Sequence, residues 1–307
     1  MLTICLQIAV LLVSVASAGV ASPALAEPVT VRHAQGEMTL DASPQTVVVT
    51  DWAAFDNLHA LGVPAAGVPA SATPSYLAPL VPEGTPRVGS LQEPDIEGIA
   101  AAEPDLVIVA NRSRHAYKTL QQLAPTLDMT VDNADIVGGV KASLAQYGAI
   151  FGRQARAATL TAALDAKVKE AREAAAGRGT GLVVVTNGGR LGVYGPGSRV
   201  AWIYDALAVP SVFAGVDDGD HGGDAISAEY LSEKNPDWLF VVDRDAGIGQ
   251  EGSARATLDN ELIHGTTFWR KNQIVYLDPA AAYVTMHGVT GLMRLLDQVI
   301  EGYRGGA

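Results

Sequence analysis

Short uninterrupted apolar runs recur along the chain, at residues 47–49, 106–109, 182–185, 239–242 and 274–277. They are rich in Val and Ile and show no polar alternation, the pattern of strands buried on both faces. Between them lie segments of helical spacing at 53–61, 117–123, 201–207 and 258–263. Strands alternating with helices predict an α/β architecture with largely parallel sheets. Residues 153–176 break this rhythm. They contain neither Pro nor Gly, are rich in Ala, and set Leu160, Leu164, Val168, Ala171 and Ala175 on one stripe. Gly177 and Gly179 then supply a stop. The spacing predicts one helix roughly 36 Å long. A long helix in mid-chain, with α/β units on both sides, predicts two lobes joined by a stiff strut.

An internal repeat supports the two lobes. Glu97, Pro104, Asp105 and Arg112 recur as Glu229, Pro236, Asp237 and Arg244, each offset by 132 positions without a gap. Ligands of open α/β sheets bind outside the carboxyl ends of the strands. Arg112 and Arg244 each fall just past such an end, so both are expected at a cleft between the lobes. Glu97 and Glu229 lie on the helix or turn before each strand. They are expected at the opposite end of the strand, on the outer surface, one per lobe.

The first 26 residues carry no Asp, Glu, Lys or Arg. Their apolar run is shorter than the ~20 residues of a membrane span, and Ala24-Leu25-Ala26 ends it with small residues. This reads as a secretory signal peptide cleaved after Ala26. Cys5 follows Ile4 rather than a small residue, so a lipoprotein is not expected. Cleavage removes the only cysteine, which suits an oxidising compartment. The resulting division is 1–26 signal peptide, 27–150 first lobe, 151–178 linking helix and 179–307 second lobe.

Charge narrows the partners. With 21 Lys and Arg against 33 Asp and Glu, the net charge is −12. Such a chain is not expected to bind nucleic acid, where Lys and Arg neutralise phosphates. One cysteine excludes a disulfide scaffold and any multi-Cys metal site.

Several residues remain as candidate chemistry. Arg199 follows Tyr194-Gly195-Pro196-Gly197-Ser198, where glycines permit close backbone approach and Ser198 can cap a following helix. A tight turn with an exposed arginine fits equally well. His221 sits in the acidic stretch 217–224, readable as a cation loop or as a solvated acidic loop. Tyr283 lies beyond the last apolar run, again at the carboxyl edge. His287 is near it and competes with His221 as a metal donor, while Arg114 and His115 flank Arg112. No G-x-S-x-G, H-E-x-x-H or Cys nucleophile is present. The pattern argues for binding, not for an enzyme.

Certain segments carry a family resemblance: Gly89-Ser90-Leu91-Gln92-Glu93-Pro94-Asp95-Ile96-Glu97, Tyr194-Gly195-Pro196-Gly197-Ser198-Arg199, Asp220-His221-Gly222, Asn235 to Arg244, Leu258-Asp259-Asn260 and Tyr276-Leu277-Asp278-Pro279. The chain resembles the periplasmic substrate-binding proteins of ABC importers for iron–siderophore complexes. It is most similar to the branch for ferric catecholates of the enterobactin type (CeuE-like). The resemblance implies a class III periplasmic binding protein fold, two Rossmann-like lobes bridged by a single long α-helix. It implies that Arg112, Arg199 and Arg244 contact catecholate oxygens, and that His221 and Tyr283 bind iron directly. It implies that Glu97 and Glu229 dock on an inner-membrane permease. It further implies a monomer in the periplasm, with no intrinsic cofactor and Fe(III) carried as a siderophore complex. A haem, cobalamin or other metal-chelate carrier on the same fold is the alternative. Val284-Thr285-Met286-His287-Gly288 departs from the branch, which leaves His287 as a substitute for His221.

Overall fold

The computed structural model describes residues 28–195, 197–213 and 223–305. The expected export segment with its cleavage point after Ala26, and His221, lie outside them. The first lobe opens on an antiparallel hairpin, β1 (Val29–His33) with β2 (Gly36–Leu40). Strands β3 (Val47–Val49), β4 (Leu106–Val109) and β5 (Thr126–Asp128) then form a parallel sheet in that order. Val47, Val49, Leu106, Ile108 and Leu127 pack into one cluster. Val48, Val107 and Val109 pack into another on the opposite face. Both faces are therefore apolar, which is why these runs show no alternation. Helices α1 (Trp52–Ala60), α2 (Ile96–Ala101), α3 (Tyr117–Leu120) and α4 (Ile136–Ile150) flank the sheet.

Helix α5 (Gln154–Ala175) is the predicted strut. It buries Ala157, Leu164, Ala171 and Ala175, with Leu160 and Val168 partly covered.

The second lobe holds β6 (Gly181–Asn187), β7 (Arg190–Tyr194), β8 (Asp224–Ile226), β9 (Trp238–Asp243) and β10 (Ile274–Tyr276), in the order β10-β9-β6-β7-β8. Strands β6, β9 and β10 are parallel, while β7 and β8 alternate in direction. The sheet is thus mixed. The reversal is local: Asn187 pairs with Arg190 across Gly188 and Gly189, whose φ values of 57° and 76° suit a two-residue hairpin turn. Helices α6 (Ala228–Lys234), α7 (Arg244–Gly247), α8 (Ala254–Leu258), α9 (Glu261–His264), α10 (Thr267–Arg270), α11 (Pro279–Tyr283) and α12 (Val289–Gly305) complete the chain.

Two expected helices come out differently. The 201–207 segment is a single 3₁₀ turn, Ala201–Ile203, followed by irregular backbone. The 258–263 segment breaks at Asp259, because Asn260 turns its side chain to accept from Ile263 N and caps α9.

Helix α12 belongs by sequence to the predicted second lobe, yet it packs along α5 and against α1 of the first. Its buried face carries Leu292, Leu295, Leu296, Val299, Ile300 and Tyr303. Asp56 and Asn57 of α1 receive its first turn: Gly291 N donates to Asp56 Oδ2 at 2.8 Å and Val289 N to Asn57 Oδ1 at 2.9 Å. These acceptors satisfy N–H groups that a helix leaves open at its start. Gly288 allows the approach, since a Cβ there would stand 2.3 Å from Asp56 Oδ2.

Candidate functional site

Tyr283 ends α11, and the elements around it explain its position. Pro279 occupies the first turn of α11 and Asp278 caps it, accepting from Ala281 N at 3.0 Å. Arg294 holds the Asp278 carboxylate at 2.9 Å. Helix α7 lies close against α11 because residue 247 is glycine; a Cβ there would stand 2.7 Å from Pro279 O. Arg244 begins α7 immediately after β9, with Asp243 capping Ala246 N. Arg112 leaves the 3₁₀ turn that follows β4.

The three arginines meet on this tyrosine. Arg244 donates from Nε to Tyr283 Oη at 3.1 Å and from Nη1 to Asn187 Oδ1 at 3.2 Å. Arg112 Nη2 and Arg199 Nη1 both donate to the Tyr283 carbonyl, at 2.8 and 3.2 Å. The guanidinium carbons of Arg112, Arg199 and Arg244 stand 5.3, 4.7 and 5.6 Å from the ring centroid, within cation–π range. Arg244 also has a carboxylate neighbour, Asp245, at 3.5 Å. Arg112 and Arg199 have no ion-pair partner among the described residues. Burial and then the neighbouring charge of Arg199 hold the Arg112 guanidinium below its ordinary range. Buried Asp51, which caps α1 through Ala53 N and Ala54 N, opposes that shift; its own carboxyl is pushed up by desolvation.

Beside this cluster runs a cleft of about 620 Å³, lined by Asn111, Arg112, Arg114, Thr130, Asn133 and Arg199 among others. Both lobes contribute to it. Three guanidiniums here concentrate positive charge on a chain whose net charge is −12. The chemistry on offer is recognition of an oxygen-rich anion by forked donors.

The remaining candidates are placed less simply. Ser198 makes a local turn, donating to Gly195 O and accepting from Val200 N, and starts no regular α-helix. His115 is exposed, and its Nδ1 lies 3.0 Å from Arg112 O. His287, expected as a substitute donor, is buried beside the cleft. Its Nε2 meets Asn133 Oδ1 at 3.2 Å, and its Nδ1 is buried without a partner. Burial and then the charges of Arg199 and Arg112 lower its pKa to about 3. Among the described residues no group of three or more His, Cys, Asp or Glu is placed to hold a metal ion.

Glu97 and Glu229 are exposed, each the second residue of a capped helix. They are not at the end of the strands opposite the arginines. Val48 is level with Gly67 and Val68 with Arg87, and Asp95, which caps α2, donates from N to Val88 O. That register puts Asp95 one step beyond Val49, at the carboxyl edge. In the second lobe Ile226 is level with Leu191, Leu191 with Thr186, and Thr186 with Asp243. Ser227, which caps α6, therefore follows the same edge. Both glutamates share the carboxyl edge with Arg112 and Arg244. The sequence reading missed this because it counted residues back along the chain, whereas each helix begins where a neighbouring strand ends.

Asn133, Asn187 and Asp51 also belong to the site and were not singled out from sequence. Only Asn187 had a local signal, the Asn-Gly-Gly turn.

Comparison with known proteins adds a family. Residues 47–281 match the family described as Periplasmic binding protein. The ferric-anguibactin-binding protein FatB of Vibrio anguillarum is 31% identical over 289 residues, covering 91% of this chain and 89% of its own. The crystal structure of the petrobactin-binding protein YclQ from Bacillus subtilis superposes with a TM-score of 0.86 at 30% identity, over 90% of this chain and 99% of that one. The periplasmic catecholate-siderophore binding protein VctP from Vibrio cholerae gives 0.82 at 30% identity, over 91% and 100%.

Proposed function

The chain belongs to the periplasmic binding protein family, and from that premise we propose that it captures a ferric siderophore in the periplasm and delivers it to an ABC importer. The convergence of Arg112, Arg199 and Arg244 on Tyr283 beside the cleft carries this reading. Ferric catecholates are anionic and rich in oxygen, and guanidiniums answer both properties with charge and directional donors. The relatives bind petrobactin, ferric anguibactin and a catecholate siderophore, which supports the same ligand class. The protein binds and releases its cargo without transforming it.

Fe(III) is a hard cation that favours anionic oxygen. A tetradentate bis-catecholate leaves two positions of the metal open, and Tyr283 Oη with a His221 nitrogen fill them. The Arg244 hydrogen bond to Oη is one that an iron-bound phenolate keeps. Glu97 and Glu229, exposed at the carboxyl edge of the two lobes, present paired carboxylates to basic residues of the permease.

Titration with a ferric bis-catecholate, followed by tryptophan fluorescence and by the charge-transfer band, tests the reading. Saturable quenching with a shifted band is expected. Absence of binding overturns the function. Unchanged affinity after combined Tyr283→Phe and His221→Ala overturns direct iron ligation while leaving the function standing.

A further inference from the structure

On the first-lobe side of the cleft, the Asn133–His287 pair is buried structure with an exposed consequence. Asn133 opens the 3₁₀ turn Asn133–Asp135. Asp132 fixes the start of that turn by accepting from Ala134 N at 3.0 Å. Asp135 fixes its end, accepting from Gly138 N at 2.8 Å as the cap of α4. His287 is held from the other side. Asn57 Nδ2 donates to its carbonyl at 3.0 Å, while Asn57 Oδ1 accepts from Val289 N. Two rigid backbones thus present the imidazole to the amide, with Nε2 and Oδ1 3.2 Å apart.

That contact assigns the protons. Oδ1 is an acceptor only, so Nε2 carries the imidazole hydrogen and Nδ1 keeps its lone pair. The flipped amide would face Nδ2 toward a bare Nε2 and force the hydrogen onto Nδ1, which is buried without a partner. An orphaned N–H is the rarer and costlier arrangement. With Oδ1 engaged, the Asn133 NH₂ is left for the cleft that Asn133 lines, and no described residue accepts from it.

We propose that Asn133 is a fourth ligand-binding side chain, donating its amide N–H to an oxygen of the bound ferric chelate, and that His287 is the positioning residue that fixes which way this amide points. The inference rests on the ferric-siderophore reading above and adds to it. The arginines read charge. Asn133 is a neutral donor held in one orientation, so it reads a carbonyl, hydroxyl or catecholate oxygen on the part of the ligand facing the first lobe. Burial first, and then the charges of Arg199 and Arg112, disfavour the protonated imidazole and keep His287 in the neutral, single-proton form that this arrangement needs.

Titration of the full-length chain with a ferric bis-catecholate, alongside thermal melting, tests the proposal. Asn133→Ala should weaken binding about tenfold, the size of one hydrogen bond to a charged acceptor. Asn133→Asp, which exchanges the donor for a carboxylate, should weaken it further. His287→Ala should match Asn133→Ala, and the double variant should be no weaker than Asn133→Ala alone, because His287 acts through Asn133. His287→Gln, which keeps an N–H for Oδ1, should restore most of the affinity. If His287→Ala fails to fold, the two Asn133 variants decide the outcome. Wild-type affinity in Asn133→Ala overturns this inference alone. Additive losses in the double variant overturn the positioning role. Absence of binding by the wild type overturns both this inference and the function on which it rests.

Discussion

Replacing His287 should remove a defined part of the protein's sensitivity to acid. His287 is 6% exposed, and its pKa falls from 6.5 to about 3 through burial first and the charges of Arg199 and Arg112 second. In the unfolded chain it titrates near 6.5. The folded value is the depressed one. The contribution of His287 to stability is therefore complete above pH 6.5 and is lost as pH falls towards 3. Each pH unit in that window is worth about 1.4 kcal/mol, so about 3 kcal/mol disappears between pH 6.5 and 4.5. Asp51 and Asp56 act in the opposite sense. Desolvation raises both, so their contribution is greatest at low pH and is lost as pH rises through their folded values. They are present in wild type and variant alike and cancel in the difference. Urea unfolding of the wild type and of His287→Gln at pH 7 and pH 4.5 measures it. The wild type should lose about 3 kcal/mol more than the variant over this interval. Equal losses would show that the imidazole is not held neutral by burial, and the proton assignment at Asn133 would fall with it.

Other substitutions probe different links. Asp56→Ala strips the acceptor from Gly291 N and from the Tyr76 hydroxyl, 3.2 Å away, inside the packed α1–α12 contact. It should cost about 2–5 kcal/mol in chemical denaturation, with Asp56→Asn costing less. Leu164 is fully buried on α5; Leu164→Ala should cost about 2–5 kcal/mol by the same measurement, leaving siderophore affinity within a factor of two or so. Glu97→Ala combined with Glu229→Ala should abolish uptake in cells carrying the cognate permease while solution affinity stays at the wild-type value. A loss of affinity in that variant would contradict the docking role.

Much of the fold was legible because its causes are local. The runs at 47–49, 106–109 and 239–242 are apolar throughout since clusters cover both faces of β3, β4 and β9. The stripe of α5 follows from helical spacing, and Leu164, Ala171 and Ala175 are buried where that spacing puts them. The repeat placed Arg112 and Arg244 beyond the strand ends, where both reach one tyrosine. The mixed direction of the second sheet was hidden because β7, the strand that folds back on β6, has its apolar residues interrupted by Gly192 and shows no uninterrupted run. The role of α12 was hidden for another reason: an amphipathic helix announces that one face is covered, not by what.

The sequence by itself determined the α/β class, the strut, and the kinds of side chain available to meet an anion. Each depends on neighbours a few positions apart, where propensity and periodicity act. Only the tertiary structure made Tyr283 the point on which the arginines converge, since its partners are 171, 84 and 39 residues away along the chain. It also moved Glu97 and Glu229 to the carboxyl edge, set His287 Nε2 against Asn133 Oδ1, and brought Asp56 to the start of α12. Those outcomes depend on strand register and helix packing, which join segments far apart in sequence and leave no periodic trace in either one.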